Sequence, residues 1–454
     1  MDGKKLREDN KRLKKENKEL KDRLKKVEKE FEEFKAKHAV TVANLQKALK
    51  IKEDKKISHK PLGAPKGHKG YTRCVPERVD CVKPLMLKRC PCCNTVLKGG
   101  PQEIRSRYVT DILPASKVNV TQYDIPRKYC PKCKKIVEPE VPNVLPRARL
   151  GLSLMLLVMY LKVGLRLPAA KVCEYFMTMY DLKISKGGVF VILRQLAKAF
   201  GNYYKQLEQF VRLARVKHSD STSWRVNGKN YFAWVFIAFG IVIYKIKKRN
   251  NHKVGLALFG KKQEGNVLVV DRHSAFRTLA EKAGFTLQLC WSHILENSKV
   301  LAKDFGKNGG KQVHKKLKEI FAIAESFNHK GTPEIVEQLK GEIYQLTQKH
   351  YKSSTVRKFV NNLYYRDVEN LFIFVTDPEV DATNNISERE LRELIIIRNI
   401  SKGSRSIKGA NTTATLLSII QTLRLNQKNI LTGLQEILNN KNTIPQLQEN
   451  TSQN

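Results

Sequence analysis

Between residues 213 and 289 the chain changes rhythm in a way that few folds accommodate. Residues 213–219 make a strand-like run ending at Asp220, and two apolar strands follow over Tyr231–Phe239 and Ile241–Lys247, divided at Gly240. A short helix is expected around Val254–Phe259. After it come a buried-type strand over Asn266–Val270 ending at Asp271, a helix over Ser274–Ala283 and a fifth strand over Phe285–Leu289. Short apolar runs bounded by turn residues read as strands covered on both faces, whereas 3.6-residue spacing reads as helix. The resulting order is three strands, helix, strand, helix, strand. Open α/β sheets collect ligands beyond the carboxyl ends of their strands, where both aspartates are expected. A single loop aspartate is ordinary; two that end interior strands point to a site.

That element order is the one of a ribonuclease-H-like sheet, and the rest of the chain is arranged around it. With 454 residues, 41% of them hydrophobic, the chain is long enough for about three folded units, which excludes a disordered tail protein. The fold class expected is multidomain α/β: a ribonuclease-H-like core with a helical insertion, preceded by a coiled coil, a zinc ribbon and a helical domain compatible with helix-turn-helix. Residues 1–50 carry a heptad pattern. Leu6, Leu13, Leu20, Val27 and Phe34 share one seam position, and Asn10, Asn17, Leu24 and Phe31 the other. This predicts a parallel dimerisation helix, with the asparagines fixing register, and hence a homodimer. Residues 51–75 are basic and rich in Pro and Gly, an arm whose Lys66, His68 and Lys69 suit a phosphate backbone or a narrow groove.

The formal charge of +42 belongs to the folded body as well as to this arm, because residues 1–75 hold only 24 of the 85 basic side chains. A field of that sign points to a polyanion, double-stranded DNA foremost. No membrane partner is expected. The most apolar run, Leu152–Leu161, falls well short of the ~20 residues a membrane span needs, and the charged N-terminus does not resemble a signal peptide. The chain is therefore expected to stay in the cytoplasm, where nine cysteines serve as metal ligands or core thiols more readily than as disulfides.

In residues 76–142, Cys90 and Cys93, and again Cys130 and Cys133, stand three positions apart, a spacing that lets a tight turn aim both sulfurs at one tetrahedral ion. A structural Zn²⁺ in a four-cysteine ribbon is expected, with strand-like stretches such as Lys117–Thr121 in the intervening loop. Cys92 fits in place of Cys90 or Cys93, and Cys74 and Cys81 compete as ligands. Residues 143–212 read as helices over Leu152–Leu161, Pro168–Tyr180 and Ser185–Phe210, the last capped at Ser185. The core's first part spans residues 213–300. Residues 301–375 are Lys-rich amphipathic helix, as in Lys311–Phe327 and Thr332–Tyr351, and interrupt it. Residues 376–430 complete it, with helices from about Asn384 through Leu394 and over Asn411–Leu425, and 431–454 read as a polar tail. Cys290 and His293, one helical turn apart, suggest an accessory role near the site, either structural or in positioning DNA.

Taken in order, several fragments resemble the DDE transposases of the insertion-sequence-66 family over nearly the whole chain. They are Pro65-Lys66-Gly67-His68-Lys69-Gly70, the paired Cys-x-x-Cys knuckles, Asp220 to Lys229, Val267 to Asp271, Cys290-Trp291-Ser292-His293, Asn384 to Arg392, and Ser401-Lys402-Gly403-Ser404-Arg405-Ser406. Ser221 stands where the family often has Glu. The resemblance implies a prokaryotic, nucleoid-associated enzyme. It would bind the ends of its own element and carry out metal-dependent strand cleavage and strand transfer, with element-encoded accessory proteins as further partners.

The resemblance also assigns the third acid, Glu388, beside Asp220 and Asp271. Glu390 and Glu393 lie about 200° and 140° around the same helix, so the three should not be interchangeable. Two Mg²⁺ ions, for which Mn²⁺ substitutes, suit such a trio, because hard cations take carboxylate oxygens and histidine or cysteine replaces them poorly. Arg389, Arg392, Arg398, Lys402 and Arg405 then offer cations beside the acids, where DNA would otherwise be repelled. Two other readings stay open: a ribonuclease-H-fold nuclease that cuts without joining, and a zinc-ribbon DNA-binding protein whose catalytic core has decayed.

Overall fold

In the computed structural model the described residues are 141–146 and 148–439, preceded by the short stretches 21–25, 96, 118–122, 124, 128–131 and 134–137. The arm with Lys66, His68 and Lys69, the cysteines at 74, 81, 90, 92, 93 and 133, and the tail from 440 lie outside them. Of the heptad segment, residues 21–25 are described, and they are helical. Val118–Gln122, at the end of the loop read as strand-like, are exposed and belong to no strand. A small antiparallel hairpin follows, β1 (Lys128–Cys130) and β2 (Lys135–Val137), with Cys130 opposite Lys135.

Helices α1 (Leu152–Met159), α2 (Ala169–Tyr180), α3 (Lys186–Ala199) and α4 (Gly201–Leu213) come next, α1 running on into one π-helical turn over Tyr160–Gly164. The Ser185 hydroxyl accepts from the Gly188 N–H and starts α3 as its sequence predicts. The single helix expected over Ser185–Phe210 is instead two. Phe200 leaves helical geometry at ψ −1°, and α4 restarts at Gly201, a residue that contributes little to holding a helix straight.

The sheet comprises β3 (Val216–Val226), β4 (Lys229–Ala238), β5 (Ile241–Lys247), β6 (Val267–Val270) and β7 (Thr286–Leu289), in the order β5-β4-β3-β6-β7. The first three are antiparallel, and β6 and β7 join in parallel. Helices α5 (His252–Phe259) and α6 (Ser274–Ala283) supply the crossovers. They cover one face, where Trp234 packs edge-on to Phe276 and Phe236 edge-on to Phe259.

After β7 come α7 (Trp291–Asp304), α8 (Gly310–Ser326), α9 (Pro333–Thr347), α10 (Ser354–Tyr365) and the short α11 (Ile373–Thr376). The indole of Trp291, fully buried, stacks on Phe321 and donates to the Leu371 carbonyl at 2.7 Å, which ties the two ends of this helical stretch to the end of β7. Helix α12 (Asn385–Ser401) then crosses the second face of the sheet, and α13 (Ile407–Leu425) and α14 (Ile430–Asn439) close the fold.

Two departures from the sequence reading have simple causes. Strand β3 does not end at Asp220; it continues six residues further, paired with β4, and turns through Asn227 and Gly228 at φ +48° and +73°, a hairpin turn that Asn-Gly favours. Residues 431–439, read as the start of a tail, belong instead to α14 and bury Leu434 and Ile437. Along the edge strand β5, the Val242 and Tyr244 N–H groups donate to the Thr422 and Ser418 hydroxyls of α13 at 3.1 and 2.8 Å. Two buried hydroxyls of α13 thus satisfy backbone N–H groups along the sheet edge.

Candidate active site

Asp220 lies opposite Val235 on β4, and Val235 lies opposite Tyr244 on β5, so these three side chains share a sheet face. The Tyr244 hydroxyl donates to the Glu390 carbonyl of α12, which makes this the face α12 covers. On the other flank, His218 of β3 pairs in parallel with Val269 of β6. Two residues further along each strand bring Asp220 and Asp271 level on neighbouring strands and onto the same face, since side chains alternate with a period of two. Each carboxylate is held by backbone: Asp220 Oδ1 accepts from the Ser221 N–H at 2.6 Å, and Asp271 Oδ1 from the His273 N–H at 3.1 Å.

The start of α12 is pinned over them. Asn384, fully buried, donates its side-chain amide to the Ser219 carbonyl at 2.9 Å and its backbone N–H to the Cys290 sulfur at 3.1 Å, while its amide oxygen lies 3.3 Å from His218 Nδ1. Glu388, one turn on, points at His293, with Oε1 3.3 Å from Nδ1. That approach is an ion-pair distance without in-line hydrogen-bond geometry, and Nδ1 is buried with no hydrogen-bond partner.

Burial, and then the charges of Asp271 and Glu388, push the Asp220 carboxyl up to about 7, against the pull of the Ser221 N–H and of His293. The neighbouring Cys290 sulfur, and beyond it Glu388 and Asp271, hold His293 up at about 9 although burial pulls the other way. The effects of Asp271 and Glu388 on Asp220 mark the three acids as electrostatic neighbours. Among the described residues, the donor trio whose atoms lie within 4.8 Å of one another is Cys290, His293 and Glu388, not the three acids.

Glu390 and Glu393 leave the site, as the helical angles require. Glu390 is buried beside Arg389, and Glu393 pairs with Arg166 and with Arg424 at 3.8 Å. Arg389, Arg392, Lys402 and Arg405 are exposed. Arg398 is not a free cation: its guanidinium donates to the Thr222 and Ser223 hydroxyls at 3.2 and 2.9 Å and fastens the far end of α12 to β3. The loop after it is fastened too, through Ser404 N–H to the Arg225 carbonyl and Asn227 N–H to the Ser404 carbonyl, both 2.8 Å. The close backbone approach that Gly403 allows is therefore to β3. Asn384 and His218 do structural work beside the acids that sequence reasoning missed. Asn384 was visible there only as part of a family fragment and as a polar residue heading a helix.

Compared with models of known families, residues 147–412 match the one described as Transposase IS66 family. The chain belongs to the IS66 family of transposases. The match runs from the first helix through the sheet and α12 into α13, and the five-stranded open sheet with its helices is compatible with a DDE-transposase core. This IS66-family member is also 23% identical over 374 residues to the "Uncharacterized protein y4hP" of Sinorhizobium fredii (strain NBRC 101917 / NGR234), covering 71% of this chain and 67% of that one. Among the described residues no helix is long and apolar enough to cross a membrane.

Proposed function

We propose that this IS66-family transposase cleaves DNA at the ends of its own element and joins the freed 3′ ends to a target, using Asp220, Asp271 and Glu388 as a DDE trio on a ribonuclease-H-like sheet. The observation that carries this reading is electrostatic. Three carboxylates from β3, the end of β6 and the start of α12 share one face of the sheet, and two of them raise the pKa of the third. Such crowding of negative charge, with His293 as the nearby cation, is what a site for divalent ions needs. All-oxygen donors fit Mg²⁺ or Mn²⁺, which supply Lewis acidity at the scissile phosphate and an activated water or 3′-hydroxyl.

The chain's own residues have distinct parts in this proposal. Asn384 and Arg398 hold α12 on β3 at both ends, which fixes where Glu388 meets the aspartates. Arg389, Arg392, Lys402 and Arg405 supply exposed positive charge that offsets the acids toward phosphate; Lys66, His68 and Lys69 of the arm are separate proposed contacts to DNA. Cys90, Cys93, Cys130 and Cys133 are the proposed ligands of a structural Zn²⁺, on their spacing in the sequence. Residues 1–50 pair two copies, and element-encoded proteins assist.

The test uses the full chain with DNA carrying the element's terminal repeats and Mg²⁺. Nicked ends and joined products are expected from the parent, and Asp271→Asn should abolish both while DNA affinity stays within about threefold. Nicks without joined products indicate a nuclease, and an unaltered phenotype in Asp271→Asn indicates a decayed core. Equal loss of binding and cleavage makes Asp271 structural.

A further inference from the structure

We propose that Cys290, His293 and Glu388 form a binding site for one borderline transition-metal ion, of the Zn²⁺ class, and that its occupation draws Glu388 away from the two aspartates. The inhibitory half of this proposal rests on the cleavage function argued above; the binding half does not.

The donors are already gathered. Sulfur, imidazole nitrogen and carboxylate oxygen lie within 4.8 Å of one another, with the last two 3.3 Å apart. Tetrahedral ligands at zinc distances of about 2.0–2.3 Å stand roughly 3.3–3.8 Å from each other, so closure needs about 1 Å of movement. Glu388 and His293 are half-buried side chains in the first turns of two helices and have that freedom. Cys290 is the fixed member: its N–H donates to the Val270 carbonyl at 2.8 Å, and the next residue's N–H donates to the Ala382 carbonyl at 3.1 Å.

The donor set selects the ion. A thiolate–imidazole–carboxylate site is of the wrong softness for Mg²⁺, whereas Zn²⁺ and Co²⁺ accept all three ligands. Two features prepare it. The Cys290 sulfur accepts the Asn384 N–H at 3.1 Å where α7 and α12 both begin, which holds it in place. His293 Nδ1 is buried without a hydrogen-bond partner, and the imidazolium offers an ion its lone pair there once it gives up the Nδ1 proton. Binding releases the Cys290 thiol proton and the His293 imidazolium proton to solvent, and three protein ligands leave a fourth position for water or a phosphate oxygen.

The carboxylate cannot serve two sites at full strength. Glu388 drawn toward Cys290 and His293 is withdrawn from Asp220 and Asp271, so zinc and magnesium should compete although they bind different sets of atoms.

Zinc content of the full chain, saturated and desalted, is compared by elemental analysis among the parent, Cys290→Ser and His293→Ala, with Co²⁺ titration followed by absorbance as a second measure. The ribbon cysteines contribute equally to all three proteins. The parent should hold one more equivalent than either variant, and its Co²⁺ titration should show a second phase that both variants lack. His293→Ala removes a half-exposed side chain and keeps the comparison valid should Cys290→Ser fold poorly. Equal zinc content and superimposable Co²⁺ curves in the parent and His293→Ala overturn the site. In the second arm, one zinc equivalent beyond the ribbon should cut Mg²⁺-dependent cleavage by the parent at least tenfold, with recovery on adding a zinc chelator. Cleavage that ignores the bound extra zinc overturns the competition. A parent that binds the extra equivalent yet cleaves under no ion upholds the metal site and removes the transposition chemistry instead.

Discussion

On α12, Glu388 points at His293 and is an electrostatic neighbour of Asp220, Glu390 is buried beside Arg389, and Glu393 is tied to Arg166 and Arg424. Glu388→Gln should therefore lower end cleavage by at least about 100-fold with the thermal midpoint nearly unchanged, whereas Glu390→Gln should stay within about tenfold of the parent. Quantifying nicked product for both variants at equal DNA occupancy checks the contrast, and equal losses would remove the case for Glu388. Lys217 gives a second residue-scale prediction. It is fully buried on β3, its ammonium donates to the Ala214 carbonyl and lies over the Phe259 and Phe285 rings, and burial lowers its pKa from 10.5 to about 8. Below pH 8 both folded and unfolded chains hold the proton, and the folded state bears the whole desolvation cost. Between pH 8 and 10.5 the folded chain releases a proton that the unfolded chain keeps, so this residue's contribution to stability rises with pH. A shift of this size corresponds to an upper limit of about 3 kcal/mol, reduced by the contacts the ammonium makes. Lys217→Met should thus be stabilising at pH 7 by about 1 kcal/mol, with the gain shrinking toward pH 10, as urea unfolding at the two pH values would show.

At the scale of elements, the site's precision comes from how α12 and the loop after it are held to β3. Gly403 has φ +109°, and a Cβ there would lie 2.4 Å from the Arg225 carbonyl oxygen. Gly403→Ala must push the loop off the β3–β4 hairpin, which should cost roughly 1–3 kcal/mol of stability and loosen the far end of α12; a thermal midpoint equal to the parent's would show that the loop is not tightly seated. Elements were legible where one physical signal ruled. The apolar runs of β5 and β6 and the helix over Ser274–Ala283 lie where their patterns put them, and so does the connector before α3, because Ser185 caps it. The reading faltered where two signals competed. The polar alternation from His218 to Arg225 concealed that β3 continues to a hairpin, although Asn227-Gly228 advertises one. Phe200 and Gly201 broke a helix whose apolar periodicity runs straight through, and α14 was hidden by its polar surroundings. For the site, Asp271 was readable from its position at the end of a buried strand, whereas Asp220 was picked out by a strand end that β3, running on to Val226, does not have, and Cys290 and His293 were read as a structural or DNA-positioning pair. Glu388 needed a family resemblance, since nothing in its spacing distinguishes a site glutamate from a solvated one.

Across the whole molecule, one of the contacts between the helical stretch from α8 to α11 and the site region is a buried charge. Asp367 is fully buried and accepts from three arginines: Arg272 and Arg277, on the loop and helix after β6, and Arg366, its own neighbour. Arg272 directly follows Asp271, so the insertion grips the chain one residue from a proposed metal ligand, and Phe359 of α10 lies 5.3 Å from the Arg272 guanidinium. The surplus positive charge at this knot is tolerable only while the carboxylate remains, because an unpaired buried charge costs several kcal/mol. Asp367→Asn keeps the shape of the side chain and removes its charge. It should destabilise the fold by about 3–5 kcal/mol, and at a temperature where the variant is still folded it should lower cleavage more than DNA affinity, since the aspartate beside Arg272 loses its register while the exposed cations do not. Binding and cleavage measured together on one preparation separate this from global unfolding, which lowers both in proportion. A stable variant that cleaves normally would mean that the helical stretch sits beside the site without setting its geometry.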